Sequence, residues 1–165
     1  MATGSLDIRE HRTYLTVTSV SRDRPATGRS GALRTVGRHA LALFLLAAGT
    51  AHFLAPQEFL AQVPTWLPAR TVIVYVSGVA EIGLALALVA WPARRVAVGW
   101  LVAGFFVLVF PGNLWQAIAG TEAFGLDSAA ARWLRLGFQP VLVAWALWST
   151  GAWAAWRQRR AGASS

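Results

Sequence analysis

Four apolar runs, separated by shorter polar segments, occupy most of the chain after residue 37. A transmembrane helix needs about 20 apolar residues to cross the hydrocarbon core of a bilayer, and the lengths of these runs are close to that number. The pattern therefore predicts an all-α protein, a four-helix transmembrane bundle of up-down topology. The predicted spans are residues 36–54, 71–91, 96–110 and 133–153.

The segments around these runs set the predicted domain limits. Residues 1–37 are polar, basic and aperiodic, and we expect a disordered arm there. The bundle then covers residues 38–156, and a basic tail covers residues 157–165. Between the first two spans, three prolines interrupt an amphipathic stretch, which is typical of a segment at the membrane interface. Pro111 is expected to end or kink the third span, and Pro140 lies inside the fourth.

Composition and charge strengthen the membrane interpretation. Hydrophobic residues make up 56% of the chain, charged residues only 13%, and all fifteen basic residues are arginines that flank the apolar runs. By the positive-inside rule, the arm, the Arg94–Arg95 turn and the tail face the cytoplasm, so both termini are predicted to be cytoplasmic in a multi-pass protein of the cell membrane. No basic face alternates with aromatic residues, so nucleic acid is not expected as a partner. The absence of cysteine excludes disulfides and thiolate metal sites within the chain.

Glu81 stands near the centre of the second span, where an ionised acidic side chain costs about 2.5–3.5 kcal/mol. A cation could compensate for that cost, and Arg132, Arg135 or a protonated His52 is available from the same side of the membrane. Alternatively, the carboxyl group faces apolar neighbours and carries a proton. The sequence leaves both alternatives open, and a purely structural ion pair is an equally reasonable interpretation.

The other strongly polar positions within the spans fall in the same, extracytoplasmic half of the predicted bundle. On the fourth span, Arg132, Arg135 and Gln139 follow an i, i+3, i+7 spacing and share a face. This segregation predicts one polar pocket open to the extracytoplasmic side, although interface anchoring of the arginines and a helix-end role for Asn113 are alternatives. No metal is expected, since only one histidine lies on that side. The predicted pocket residues are His52, Tyr75, Ser77, Glu81, Asn113, Gln116, Arg132, Arg135 and Gln139.

Five short motifs occur in order between residues 43 and 148: GTAHFLAPQEF, PTWLP, YVSGVAEI, FPGN and RLGFQP. In this set the chain resembles the DoxX-like family of small four-helix membrane proteins, although the polar arm before residue 38 is not part of the family pattern. The resemblance implies association with membrane redox assemblies such as a thiosulfate:quinone oxidoreductase. It places shared polar positions at His52, Glu81, Asn113, Arg135 and Gln139, without assigning them catalytic roles.

Three functions are compatible with these observations. The first is a redox-associated membrane subunit whose pocket binds a quinone-like molecule, with Glu81 or His52 as proton acceptor and Arg135 or Gln139 contacting the carbonyl oxygens. The second is a structural protein that binds a membrane or cytosolic redox partner, or a second copy of itself. The third is a small proton-coupled transporter, although no inverted repeat is evident. An accessory subunit is favoured over a self-sufficient enzyme, because the sequence has no nucleophile–base pair or nucleotide loop.

Overall fold

The structure is a computed structural model that describes residues 27–125 and 128–163. Within those ranges it is all-helical and contains no β-strand, so the prediction of an all-α fold is confirmed. A 3₁₀ turn at Pro92–Arg94 connects α3 to α4. The helices are α1 (Thr27–Leu54), α2 (Pro56–Leu60), α3 (Arg70–Ala90), α4 (Arg95–Ala119), α5 (Ala129–Ser149) and α6 (Ala152–Gly162).

Three segments are long and apolar enough to cross a membrane: Gly28–Leu54, Arg70–Ala90 and Pro92–Ala119. They correspond to the first three predicted spans and indicate a membrane protein. α5 has a similar length, but it carries two arginines and a glutamine along its first half and is not among the three.

The four long helices pack against one another in two pairs. α1 lies along α3 and α4 lies along α5, and contacts of α1 with α5 and of α3 with α4 join the two pairs. All four contribute to one apolar core, represented by Leu41, Leu88, Phe106 and Ala146. Many other large apolar side chains are exposed on the outer surface, Leu108 to 75% of its area. Apolar exposure over whole helix faces is what contact with lipid requires.

Glycines permit the closest approach between α1 and α3. A Cβ atom added at Gly78 would lie 2.7 Å from the Cβ of His52 and 3.0 Å from the carbonyl oxygen of Gly49. Small residues at such crossings let two backbones come together, which is the usual device for packing helices in membranes. This crossing fixes the register between α1 and α3.

Two helix boundaries differ from the prediction. α1 begins at Thr27, inside the arm that we expected to be disordered to residue 37. Residues such as Ala32 and Arg34 favour helix, and extending an existing helix requires no new nucleation. α4 continues through Pro111 to Ala119 as one helix, because neighbouring polar groups in membrane proteins can compensate for a proline's missing hydrogen bond.

The fourth apolar run is divided near its end. We expected it to reach residue 153, but α5 ends at Ser149 and α6 starts at Ala152. Gly151 between them has φ +76°, a left-handed conformation that glycine adopts without strain. The basic tail therefore begins within a separate helix.

Charge separates the two ends of the helices. We call the end that carries Arg34, Arg94 and the arginines of α6 the arginine-rich end. The acidic residues that the structure describes are Glu58 and Glu122 at the opposite end and Glu81 near the middle of α3.

Candidate functional site

His52 and Glu81 form a buried pair where α1 crosses α3. The Nδ1 atom of His52 lies 3.5 Å from Oε2 of Glu81, and the two side chains are 8% and 11% exposed. The same Nδ1 donates a hydrogen bond of 2.9 Å to the carbonyl oxygen of Ala48, which places a proton on that nitrogen. Oε2 of Glu81 accepts no hydrogen bond from the described residues. Of the cations that the sequence offers to Glu81, the structure brings His52 within reach.

Arg135 is bound by two glutamine side chains instead of a carboxylate. Its Nη1 donates to Oε1 of Gln116 at 2.9 Å, and its Nη2 donates to Oε1 of Gln62 at 3.0 Å. Gln116 is almost fully buried and itself donates to the carbonyl oxygen of Thr121 at 3.4 Å. The guanidinium group thus ties α5 to α4 and to residues 61–69, the segment between α2 and α3.

Gln139 makes a second set of polar contacts one turn further along α5. Its Oε1 accepts a 2.8 Å hydrogen bond from Nδ2 of Asn113, and its Nε2 donates at 2.6 Å to the carbonyl oxygen of Phe106. That carbonyl lies five residues before Pro111 in α4. Together with Arg135, these bonds satisfy polar groups that would otherwise be costly in an apolar environment.

A column of rings connects the two polar groups. The ring of His52 stacks on Phe59 with 3.6 Å between centroids, and Phe59 meets Phe124 edge to face at 4.9 Å. The guanidinium carbon of Arg135 lies 4.8 Å from the centre of the Phe124 ring, at cation–π distance. The backbone N–H of Phe124 donates to the carboxylate of Glu58. Thus α2 and the loop after α4 cover the end of the cluster.

Sequence reasoning missed several members of this network, namely Glu58, Phe59, Gln62 and Phe124. The available signal was the amphipathic character of the segment before α3, which indicates that its apolar face contacts something. The pairing partner of that face depends on how the two loops fold over the helix ends. Spacing along the chain does not contain that information.

The remaining predicted residues lie beside the network. Tyr75 is 38% exposed and stacks on Phe53 at 5.5 Å, on the outer surface of the α1–α3 pair. Ser77 is half-buried on α3, and Arg132 is half-buried on α5 one turn before Arg135. Among the described residues, no group of three or more His, Asp or Glu side chains is placed to hold a metal ion.

The structure also contains a cavity of about 690 Å³ between α4, α5 and α6. Its walls are apolar, with Val107 and Phe110 on one side and Val143 and Leu147 on the other. Gln139 lies at one end of the cavity, and Arg34 lies at the other, toward the arginine-rich end. Of the predicted pocket residues, Gln139 lines this cavity. The cavity extends from Gln139 toward the arginine-rich end, away from the half of the helices where we expected a pocket.

A family model described as a domain of unknown function, DUF8561, matches residues 41–150. The chain belongs to this family. The matched range contains the His52–Glu81 pair, the Arg135 and Gln139 contacts and most of the cavity walls, whereas α6 lies outside it. No curated protein and no solved structure matches the chain.

Proposed function

We propose that this chain is a four-span membrane protein in which α5 is the fourth span of an up-down bundle with cytoplasmic termini. The polar residues of α5 support this proposal, because Arg135 and Gln139 are bound by groups on neighbouring elements. The opposite face of α5 exposes apolar side chains such as Leu134 and Phe138. A helix whose polar groups are bound internally can lie in lipid. The arginine-rich end is then cytoplasmic.

Within this bundle, we propose that the cavity between α4, α5 and α6 binds a quinone-like lipophile with its ring against Gln139. The supporting observation is that the apolar cavity meets the polar network at this one amide. An amide nitrogen carries two hydrogens, and the Phe106 carbonyl takes one, so the second can donate to a ligand carbonyl oxygen. Apolar walls with few oriented polar groups are typical of small-molecule sites of this size.

The redox setting of this proposal rests on the resemblance to the DoxX-like family. In that setting the chain is an accessory subunit that holds the lipophile beside a partner protein, and the partner exchanges the electrons. The His52–Glu81 pair does not line the cavity. We therefore assign ligand binding to the cavity and do not route a proton through that pair.

The test is mass spectrometry of the organic extract from detergent-purified protein. Ala144→Phe fills the cavity, and Val141→Phe adds a ring to the exposed face of the same helix as a matched control. We expect a quinone-like molecule in the wild type and in Val141→Phe. In Ala144→Phe we expect its amount to fall by about tenfold or more, which corresponds to a loss of about 1.4 kcal/mol of binding free energy. Equal retention in both variants would contradict the site. Loss on Glu81→Gln with retention in Ala144→Phe would move the ligand to the His52–Glu81 pair.

A structural role is the second candidate, and the hydrogen bonds between helices made by Arg135 and Gln139 favour it. Arg135 has two amide acceptors and Gln139 has a donor and an acceptor, so these side chains hold helices together without any ligand. An extract with no small molecule from any variant, together with a stoichiometric partner protein in the purification, would support this role instead.

A further inference from the structure

A second, smaller cavity lies at the arginine-rich end, between the 3₁₀ turn, the start of α4 and α6. Its volume is about 410 Å³, and Arg94 and Arg159 enter it from segments that are distant in sequence. Trp100 and Trp156 form walls, and Ala155 belongs to its small-residue lining. We call this feature the Arg94–Arg159 groove.

The charge of the groove has no counterpart nearby in the described chain. Neither Arg94 nor Arg159 has an ion pair or a side-chain hydrogen bond among residues 27–125 and 128–163. Arg38, at the same end, is 9% exposed, and its Nε atom also lacks a partner there. Of the described carboxylates, Glu58 and Glu122 lie at the other end of the helices, and Glu81 lies near the middle of α3. Both guanidinium groups of the groove are exposed and open to an anion from outside these residues.

The aromatic walls indicate where that anion comes from. Trp156 is held from two sides, by Trp153 at 5.0 Å between ring centroids and by the guanidinium of Arg160 at 4.2 Å. Tryptophan is enriched at the level of lipid headgroups, where its ring faces hydrocarbon and its N–H faces water. Trp100 continues the groove along the start of α4, which is part of a segment long and apolar enough to span the membrane. Phosphate is the ligand that paired guanidinium groups bind well.

We propose that the Arg94–Arg159 groove binds an anionic phospholipid of the adjacent leaflet, with the phosphate between the two arginines and an acyl chain along Trp100. This site is separate from the cavity that contains Gln139 and does not rest on quinone binding. The lipid would join the α3–α4 turn to α6. Its phosphate would also offset the repulsion between the arginines that these two elements carry.

The experiment uses the full chain in detergent, titrated with phosphatidylglycerol and followed by native mass spectrometry. The double variant Arg94→Gln/Arg159→Gln is compared with Arg95→Gln/Arg157→Gln, which removes the same charge at positions that are equally exposed but do not line the groove. Phosphatidylcholine is the neutral lipid, and glycerol 3-phosphate is the soluble headgroup competitor. A charge-assisted hydrogen bond to a phosphate contributes about tenfold in affinity or more, so we expect the groove variant to bind about a hundredfold more weakly.

The control variant should bind within about twofold of the wild type, since a diffuse surface effect is small for two exposed charges. Equal losses in both double variants would overturn the proposal in favour of diffuse charge. No preference of the wild type for phosphatidylglycerol over phosphatidylcholine would also overturn it. Displacement of the lipid by glycerol 3-phosphate at similar concentration would identify a soluble phosphate as the ligand. If the groove variant fails to fold, Ala155→Leu can replace it, because leucine narrows the groove and leaves both arginines intact. This variant should fold and bind the lipid more weakly.

Discussion

Replacement of Gly78 by alanine tests the close crossing of α1 and α3, and the structure gives the size of the effect. The added Cβ would lie 2.7 Å from Cβ of His52, 2.9 Å from Cε2 of Phe53 and 3.0 Å from the carbonyl oxygen of Gly49. The Phe53 ring can rotate away. The other two atoms belong to the α1 backbone or are attached directly to it, so they can move only if the helices separate.

Two opposing terms determine the sign of this effect. Overpacking costs about 1–3 kcal/mol, whereas alanine gains about 0.5–1 kcal/mol over glycine inside a helix. We therefore expect Gly78→Ala to lower the free energy of unfolding by about 1–2 kcal/mol. Gly83→Ala, in the same helix, is the matched control, because a Cβ there meets nothing within 4 Å. It should be neutral or stabilise the protein by about 0.5–1 kcal/mol through helix propensity alone.

The assay is unfolding in mixed micelles of increasing SDS fraction, followed by helical circular dichroism, with both variants run beside the wild type. A lower midpoint for Gly78→Ala and an unchanged or higher midpoint for Gly83→Ala would support the packing argument. Equal stability of Gly78→Ala and Gly83→Ala would contradict the close approach of α1 and α3 at Gly78.

Two further substitutions test contacts at opposite ends of the helices by the same titration. Arg135→Lys keeps the charge but cannot place two separate N–H groups on Gln62 and Gln116, so we expect a loss of about 1.5–3 kcal/mol, and an unchanged midpoint would argue against the paired contact. Trp145→Phe removes the 3.0 Å hydrogen bond from the indole N–H to the carbonyl oxygen of Gly37, with an expected loss of about 0.5–1.5 kcal/mol. Wild-type stability for that variant would show that the bond contributes nothing.

The helices could be predicted where an apolar run has no interior break. The second predicted span, residues 71–91, differs by one residue at each end from α3, because no proline or charged cluster interrupts that run. At Pro111 the sequence allowed either an end or a kink of the third span, and the structure continues α4 through it to Ala119. The left-handed Gly151 was hidden, because glycine is also frequent inside membrane helices.

The polar residues of the site could be identified, but their pairing could not. Glu81 stood out from its apolar surroundings, and the sequence offered three cations for it. The choice among them depends on the register of α1 against α3, which the contacts at Gly49 and Gly78 set in three dimensions. Arg135 in turn contacts Gln62, from a segment that sequence reasoning placed at the membrane interface.

The length of α1 has a consequence for its first turns. Its 28 residues extend about 42 Å at 1.5 Å per residue, whereas a bilayer's hydrocarbon core is about 30 Å thick. In the proposed orientation, an upright α1 would extend about two turns beyond the lipid on the side of Arg29 and Arg34. A thicker membrane would cover more of this end, and a tilt of the helix would do the same, so the length of α1 outside the lipid depends on the host membrane.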